Sequence, residues 1–438
     1  MIRIKEKQNC CGCGACAQAC PKHCIAMKAD SEGFLYPVVD ESLCIDCGLC
    51  ERVCHELHPM DERKPLKVLA AINKDEEIRL KSSSGGIFFI LAKQVIDEGG
   101  VVFGARFDEQ WQVVIDYAED IDGVKAFMGS KYVQARTETA FTDAKRFLTE
   151  GRKVLFSGTP CQIAGLHHFL RKQYDNLLTV DIICHGTPSP MVWDRYLNEV
   201  ATAGKKAVCD VQFRNKENGW IRFNFSMLYR QDDKSISLCS HNRKNHYMRA
   251  FLSDLILRPS CYYCRAKKGR SHSDITLADF WGIDTVMPEM NDGKGTGLVL
   301  VNTDKGATKI DWHKITLRIS SEDIALKYNP AYYHSAKPHP KRNEFFSRIL
   351  DTNSMILLVN ECLKPSMKMR INMLACSFRR HVHQMFHPNG GGNLNSYIET
   401  VSPLSFLDNK VSIIAISFRN KQNGWKTYNI VITLKGDI

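Results

Sequence analysis

The chain opens with two similar cysteine-rich stretches, CCGCGACAQACP at Cys10–Pro21 and CIDCGLCERVCH at Cys44–His55. Each contains four cysteines in the spacing C-x2-C-x2-C-x3-C: Cys10, Cys13, Cys16 and Cys20 in the first, and Cys44, Cys47, Cys50 and Cys54 in the second. Because the same spacing occurs twice within a short region, the sequence predicts two metal centres of one kind in a domain over residues 1–62.

This spacing is that of bacterial ferredoxins, in which each run gives three thiolates to one [4Fe–4S] cluster and its last cysteine to the other. Two ligand sets follow: Cys10, Cys13, Cys16 and Cys54 for the first cluster, and Cys44, Cys47, Cys50 and Cys20 for the second. Zinc, the alternative, is bound by CxxC or Cys/His pairs, which these quartets do not match. Cys11 and Cys24 fall outside the pattern and are predicted not to be ligands. His55 stands where proline usually follows, so we predict altered solvent access to one cluster.

The composition is that of a globular protein, with 44% hydrophobic and 24% charged residues among 438. Eighteen cysteines in a long chain with no apolar signal segment indicate reduced thiols and metal binding rather than disulfides. No apolar run reaches the roughly 18 residues of a membrane span, so we expect a cytoplasmic protein. The net charge of +11 is compatible with a solvated basic surface or with an acidic partner such as a ferredoxin. No motif for nucleic-acid binding is present.

Beyond residue 62 the pattern changes to alternating strands and helices, which predicts an α/β layer. We predict three further domains: 63–188, 189–350 and a tail at 351–438. The second of these contains a hairpin at 210–227 and a helix over 246–259. The tail segment at 414–432 nearly repeats the hairpin. It is interpreted as a non-catalytic appendage that docks on a sheet edge, a degenerate duplication or the start of a truncated second unit.

Four further cysteines lie where α/β folds build sites. Cys161 and Cys184 follow predicted strands, and Cys261 and Cys264 form a CxxC pair. The residues alone leave open a third [4Fe–4S] cluster, zinc or unrelated buried thiols. The remaining cysteines are predicted to be packing residues: Cys209, Cys239, Cys362 and Cys376.

Three Ser/Gly turns precede predicted helices and offer free backbone amides to an anion: Ser82–Gly86, Gly129–Tyr132 and Ser157–Gln162. None matches a P-loop or the GxGxxG fingerprint. Their recurrence within one α/β region favours a nucleotide or flavin site, whereas each turn alone is an ordinary turn.

Several motifs, taken in order, resemble the beta subunits of coenzyme F420 hydrogenases and dehydrogenases over about residues 1–350: SSSGGIF (82–88), MGSKYVQA (128–135), SGTPCQIAGL (157–166), DIICHGTPSP (181–190), CYYCRAKKGRSHSDITLADFWG (261–282) and HPKRNEFF (339–346). The resemblance implies FAD and a third [4Fe–4S] cluster held by Cys161, Cys184, Cys261 and Cys264. It also implies that a set of residues lines the flavin site: Ser84, Gly85, Gly86, Ser130, Lys131, Gly158 and Thr159. Lys131 would be the catalytic residue, holding negative charge on the reduced ring or on a phosphate.

The resulting expectation is an α/β iron–sulfur flavoprotein oxidoreductase with an N-terminal two-cluster ferredoxin-like domain. Its substrate would be a small organic molecule or a deazaflavin-like coenzyme, and its electron partner an acidic protein such as ferredoxin. The alternative is an electron-transfer adaptor that feeds a partner enzyme. A nucleic-acid-binding iron–sulfur sensor is the third interpretation.

Overall fold

A computed structural model describes residues 1–201, 207–231 and 234–364 with their side chains, and three backbone strands beyond them. The chain divides into two compact units, Met1–Leu363 and Lys364–Ile438. The regions predicted at 1–62, 63–188 and 189–350 all lie in the first unit. Cys376, predicted to be a packing residue, lies outside the described residues.

The N-terminal cysteine region consists of two short strands and two short helices: β1 (Ile25–Ala29), β2 (Leu35–Val39), α1 (Ala15–Ala19) and α2 (Leu49–Arg52). The strands pair antiparallel. Gly14 precedes α1 with a φ of 75°, and Gly48 precedes α2 with a φ of 68°. Because side chains disfavour this left-handed conformation, glycine at the same place in both runs gives both the same turn. The sequence repeat is therefore also a repeat in three dimensions.

Eleven further strands lie in the described part of the first unit: β3 (Lys67–Asn73), β4 (Val101–Phe107), β5 (Val113–Ala118), β6 (Val154–Gly158), β7 (Leu177–Ile182), β8 (Val208–Asn215), β9 (Asn224–Gln231), β10 (Lys234–His241), β11 (Ile275–Asp279), β12 (Gly297–Val301) and β13 (Ile315–Ser320). Eight form one mixed sheet in the order β13-β3-β12-β11-β7-β6-β4-β5. Strands β3, β11, β7, β6 and β4 run in one direction and the others run against them. The carboxyl ends of those five strands therefore share one edge, the usual place for a site in such sheets.

The helices of this unit that follow the cysteine region are α3 (Glu76–Lys81), α4 (Ile87–Asp97), α5 (Ile121–Lys125), α6 (Ala140–Thr149), α7 (Pro160–Leu170), α8 (Pro190–Val200), α9 (His246–Leu252), α10 (Ile283–Val286), α11 (Asp304–Thr308), α12 (Glu322–Leu326), α13 (Arg342–Arg348) and α14 (Met355–Cys362). Short 3-10 helices lie at Lys7–Asn9, Pro259–Tyr263, Pro288–Met290, Trp312–Lys314 and Pro330–Tyr332. Alternating strands and helices around one large sheet confirm the predicted α/β class.

The large sheet is covered on both faces, as alternation along its strands requires. Val102 and Leu155 belong to a core that includes the apolar side of α4. Their neighbours Phe103 and Phe156 belong to another core with α6 and α7. Phe103 and Phe156 stack with ring centroids 5.1 Å apart. The helix that carries Cys161, α7, is therefore fixed to the sheet by a buried aromatic layer.

A second sheet, in the order β10-β9-β8, contains the predicted hairpin. Strands β8 and β9 pair antiparallel, which confirms the prediction at 210–227. This sheet contributes Phe213 to an aromatic core around Trp193, whose ring centroid lies 5.0 Å from that of Phe213. The predicted helix over 246–259 is shorter: α9 ends at Leu252, and Asp254 adopts a φ of 61°. The chain then continues through the buried residues Leu255–Arg258.

The second unit contains three described strands: β14 (Ile398–Leu407), β15 (Val411–Phe418) and β16 (Tyr428–Lys435). They form an antiparallel sheet in the order β14-β15-β16. The pair β15–β16 has the same antiparallel pairing as β8–β9, so the repeated sequence is accompanied by a repeated strand pair.

None of the helices in the described parts of the chain is long and apolar enough to cross a membrane.

Candidate functional site

One cavity in the N-terminal region brings together the cysteines predicted for the second cluster: Cys20, Cys44, Cys47 and Cys50. Cys20 comes from the first run, so the predicted exchange of the fourth cysteine is compatible with the fold. Backbone amides of Ile2 and Asp46 lie 3.3 and 3.4 Å from the sulfurs of Cys50 and Cys44. Amides in these positions stabilise thiolates. Cys24, predicted not to be a ligand, lines the same cavity, and its sulfur is 3.4 Å from that of Cys20.

The cysteines predicted for the first cluster also converge. Burial, followed by the nearby thiols of Cys10 and Cys54, raises the pKa of Cys16 to about 12. Cys13, the remaining member, lies against α7, because a methyl group on Gly165 would sit 2.9 Å from the Cys13 sulfur. The first set is therefore packed directly against the helix that carries Cys161.

The four cysteines outside the N-terminal region meet at the carboxyl edge of the large sheet. Cys161 lies in the first turn of α7, Cys184 follows β7, and Cys261 and Cys264 lie at the 3-10 helix Pro259–Tyr263. Burial raises the pKa of Cys184, and the neighbouring thiols of the other three cysteines raise it further. The structure thus brings together the third set that the resemblance implies.

Hydrogen-bond donors surround this third set. The amide of Thr187 donates to the Cys261 sulfur at 3.3 Å. The hydroxyl of Thr159 lies 3.2 Å from the Cys161 sulfur. Such contacts orient ligands and tune the potential of a bound cluster.

Cys11 connects the first and third sets. Hydrogen bonding with Cys13 raises the pKa of Cys11, and hydrogen bonding with Cys161 opposes this shift. The Cys11 sulfur also lies 3.1 Å from Nε2 of His55. One atom each of Cys11, His55 and Glu56 falls within 4.8 Å of the others, and all three residues are buried. The two sets are therefore neighbours in a closed protein interior.

His55 closes this junction against water. Its side chain is only 2% exposed, and burial lowers its pKa to about 3, so the ring is neutral at physiological pH. The sequence predicts that a residue other than proline alters solvent access at this position. The structure places an imidazole there that fills the space between the two cysteine sets.

Two buried cations near these cysteines show whether the surroundings suit an anionic iron–sulfur cluster. Arg258 is fully buried and Lys267 is 7% exposed. Within the described residues, neither forms an ion pair with a carboxylate. Arg258 Nη2 lies 3.6 Å from the Cys10 sulfur, and the charge of Lys267 lowers the pKa of Cys264 against the effect of burial. A buried charge requires a counter-charge, and [4Fe–4S] clusters ligated by four thiolates supply one, so the residues fit such clusters.

The residues predicted for a flavin divide into two groups. Ser84, Gly85 and Gly86 precede α4, and the Gly85 carbonyl accepts a hydrogen bond from the Asn73 amide at the end of β3. Ser130 joins this group because its amide donates to the neighbouring Ser83 hydroxyl at 2.7 Å. These residues lie at the same carboxyl edge as the third cysteine set.

Lys131 lies beside Ser130 with its ammonium turned to the backbone. Its Nζ donates to the carbonyls of Ala126 and Met128 at 2.7 and 2.8 Å. Burial lowers its pKa to about 7. The side chain is thus held by the chain that follows α5, with a proton that is easily lost.

Gly158 and Thr159 form the second group, on the turn between β6 and α7. Thr159 caps α7, and its side chain contacts Gln162 and the Cys161 sulfur. Three strands separate β6 from β3 in the sheet, which corresponds to about 19 Å at the usual strand spacing. Thr159 therefore belongs to the surroundings of the third cysteine set.

Three important residues were missed by reasoning from the sequence: Arg258, Lys267 and Lys216. Lys216 Nζ donates to three carbonyls, among them that of Ser84 at 2.8 Å. Its position in the repeated FRNKENGW stretch was an available signal. Arg258 and Lys267 have no such signal, because their importance comes from burial.

The prediction for the remaining cysteines was partly wrong. Cys362 is buried and packs, as predicted. Cys209 and Cys239 are exposed, because they lie on outward-facing positions of β8 and β10.

Comparison with known proteins adds the family context. Residues 151–326 match the family described as the C terminus of the coenzyme F420 hydrogenase/dehydrogenase beta subunit, and residues 9–56 match the 4Fe-4S dicluster domain. One subunit of the F(420)H(2) dehydrogenase of Methanosarcina mazei is 21% identical over 263 residues, which are 56% of this chain and 73% of that protein. An uncharacterized protein of Methanocaldococcus jannaschii is 25% identical over 211 residues, so the match spans 40% of this chain and 56% of that relative.

Among solved structures, a chain of the F420-reducing [NiFe] hydrogenase complex from Methanosarcina barkeri aligns with a TM-score of 0.41 and 16% identity. The alignment covers 76% of this chain and 97% of that one. The family matches confirm the resemblance drawn from the sequence: residues 9–56 are similar to the 4Fe-4S dicluster domain, and residues 151–326 are similar to the C-terminal region of the coenzyme F420 hydrogenase/dehydrogenase beta subunit.

Proposed function

We propose that this chain is an iron–sulfur oxidoreductase that carries electrons through three [4Fe–4S] clusters to a flavin. The first two clusters would be held by the two N-terminal sets, and the third by Cys161, Cys184, Cys261 and Cys264. The observation that carries the proposal is the contact of the first set with the third. Gly165 of α7, the helix that carries Cys161, lies against the Cys13 sulfur, and the pKa of the Cys11 thiol responds to both Cys13 and Cys161.

The three cysteine sets differ in exposure, so the proposed electron path runs from the surface at the second set, through the first set, to the third set. Cys47 of the second set is exposed, whereas Cys16 of the first set is buried. The third set lies beyond the buried junction of Cys11 and His55. When bound, the clusters pass single electrons and a flavin exchanges one or two. The chain's own residues exclude water, donate hydrogen bonds to the sulfurs and hold buried positive charge beside them.

The flavin would lie at the carboxyl edge of the sheet. We assign its binding to the group around Ser84–Gly86, Ser130 and Lys131, with Gly158 and Thr159 near the third cluster. The separation of about 19 Å between β3 and β6 favours an extended dinucleotide such as FAD over a mononucleotide. The Lys131 amine, whose pKa is about 7, would take up a proton beside an anionic phosphate or reduced ring, and this supports the proposed role of Lys131.

The substrate class follows from the flavin. A flavin at this edge would act on a small organic molecule or on a deazaflavin-like coenzyme, the latter because the matching family is named for coenzyme F420. The second candidate function is an electron-transfer adaptor that feeds a partner enzyme. It is favoured by one observation: the polar groups of Lys131 and Thr159 are already used by backbone carbonyls and by Cys161.

An electron-transfer partner would dock where the second set reaches the surface. Leu43 and Ile45 are 55% and 58% exposed on either side of Cys44. Residues 1–62 contain six Lys and Arg against ten Asp and Glu, although the whole chain is basic. The exposed loop around Cys44 therefore suits a partner whose docking surface has a basic rim. An acidic ferredoxin would instead bind to the remainder of the chain, which is basic.

One preparation tests the proposal. The full chain is purified without oxygen, and iron, sulfide and flavin are measured on the same sample. About twelve irons and one flavin per chain are expected from three cubes of four. About eight irons without flavin would overturn the flavoenzyme and leave an adaptor.

A further inference from the structure

Four arginines of the described chain have buried side chains, and one of them differs from the rest. Arg79, Arg214 and Arg342 each hold a carboxylate: Asp292 at 2.7 Å, Asp279 at 2.9 Å and Glu32 at 2.6 Å. Arg258 is the most deeply buried, with no exposed surface. None of the described carboxylates lies within 4.0 Å of it.

Among the described residues, the polar partners of the Arg258 guanidinium are neutral atoms and a thiol. Nε donates to the Cys10 carbonyl at 2.7 Å, and Nη1 donates to the Gln134 side chain at 3.0 Å. Nη2 donates to the Leu35 carbonyl at 2.9 Å and lies 3.6 Å from the Cys10 sulfur. The ring of Tyr36 stacks 4.3 Å from the guanidinium carbon.

The backbone of the same residue is part of the third set. The Cys261 amide donates to the Arg258 carbonyl at 2.9 Å, and the Arg258 amide donates to the Thr187 carbonyl at 3.0 Å. Thr187 in turn donates to the Cys261 sulfur. Arg258 therefore places a fixed positive charge on the first set while its backbone is anchored in the third.

Glu56 is a nearby carboxylate that senses this charge. Burial raises its pKa to about 7, and the charges of Arg265 and Arg258 oppose this rise. Glu56 itself lies 3.5 Å from the neutral ring of His55 and pairs with Arg265 at 3.9 Å. It does not replace a direct partner for Arg258. A buried guanidinium without a counter-charge is strongly destabilising.

We propose that Arg258 is the counter-ion of the first [4Fe–4S] cluster and raises its reduction potential. The inference rests on the proposed function, since it requires a cluster on Cys10. A cluster with four thiolates is anionic and gains one more negative charge when it takes up an electron. A fixed cation stabilises the reduced form more than the oxidised form, and the dry surroundings strengthen this effect. Arg258 thus makes the middle cluster of the chain easier to reduce.

A purely structural role for Arg258 must be separated from this one, because the residue also ties the N-terminal hairpin to the sheet. Arg342 is a matched control. It is buried, it joins Glu32 of the same hairpin to the Leu257 carbonyl beside Arg258, and it has its own carboxylate. Both arginines anchor the same parts, but Arg258 alone of the two lacks a charged partner among the described residues.

The test is a redox titration of the intact chain by electron paramagnetic resonance, with iron counted on each sample. Wild type is compared with R258M, R258K and R342M. We expect R258M to lower the potential of one cluster, R258K to stay near wild type, and R342M to lose stability without a shift in potential. An unchanged potential in a fully loaded R258M, or an equal shift in R342M, would overturn the inference.

Loss of iron is also informative. If R258M loses one cluster and R258K retains it, charge is required at this position and the inference is supported. If both variants lose the same amount, the residue acts through its shape and the inference is wrong. A wild-type chain with far fewer than about eight irons would instead contradict the proposed function, and the counter-ion role would fall with it.

Discussion

Gly165 of α7 touches the sulfur of Cys13, since a methyl group at Gly165 would lie 2.9 Å from it. Alanine normally stabilises a helix by up to about 1 kcal/mol relative to glycine. Here we expect G165A to displace Cys13 and to remove or loosen the first cluster, so that iron falls by up to about four atoms per chain. Iron analysis and cluster spectra of the variant check this. A fully loaded variant with unchanged spectra would show that the contact is not tight.

Serine at Cys161 tests the third set. We expect C161S to lose about four irons and to keep about eight, because one cube loses a ligand. C11S is the matched control, since the Cys11 thiol raises the pKa of Cys161 but Cys11 is predicted not to be a ligand. Iron and sulfide analysis measures both. Equal losses in the two variants would make Cys11 a ligand, and no loss in C161S would refute the assignment of Cys161.

Lys131 predicts a dependence of stability on pH. Its folded pKa, about 7 because of burial, lies below the ordinary lysine value of about 10.4, so the unfolded chain binds more protons between these values. Lys131 therefore lowers the free energy of unfolding at neutral pH. This destabilisation becomes smaller as the pH rises from the folded pKa towards the unfolded one. We expect K131M to flatten the rise in urea-unfolding free energy between pH 7 and 9. The exposed Lys28 is the control position, and identical curves for wild type and K131M would contradict the shift.

The loop of the second set predicts a docking effect. Leu43 is 55% exposed beside Cys44, so we expect L43D to slow reduction by a protein donor several-fold while reduction by dithionite is unchanged. Leu357, 64% exposed on α14, provides the control substitution L357D. Stopped-flow absorbance measures the rate of reduction of each variant and of wild type, by the protein donor and by dithionite. If L357D slows the protein donor and L43D does not, the donor docks elsewhere.

The C-terminal unit predicts a tolerated truncation. Residues Lys364–Ile438 form their own compact unit, and the residues assigned to the clusters and the flavin all precede it. Deletion from Gly390 onward is expected to leave iron and flavin contents unchanged. Loss of either on deletion would give the repeated strand pair a role in the site.

Much of the site could be predicted from the sequence because its ligands obey local spacing. Cys10 to Cys20 and Cys44 to Cys54 are fixed by short turns, and the hairpin at 210–227 is fixed by its turn at Asn218 and Gly219. Cys161 and Cys184 could be predicted because they follow strands, and sites in α/β folds lie at the carboxyl ends of strands. In each case the signal lies within about a dozen residues of chain.

The buried cations could not be predicted, because their role depends on contacts far along the chain. The sequence predicts a helix over 246–259, which would continue past Leu252. The positive φ at Asp254 ends it instead, and the chain turns inward to bring Arg258 to Cys10, 248 residues away. The position of Cys11 could not be predicted for a related reason: the spacing separates ligands from non-ligands, but it does not show which non-ligand lies between two sets.

Helix α7 also decides how the electron-carrying parts can move. Cys161 in its first turn belongs to the third set, and Gly165, about 6 Å further along the axis, rests on Cys13 of the first. One helical turn is therefore the spacer between the first and third cysteine sets, which are proposed to hold clusters. If both sets hold clusters, as proposed, the length of this helical turn sets the distance that an electron crosses between them.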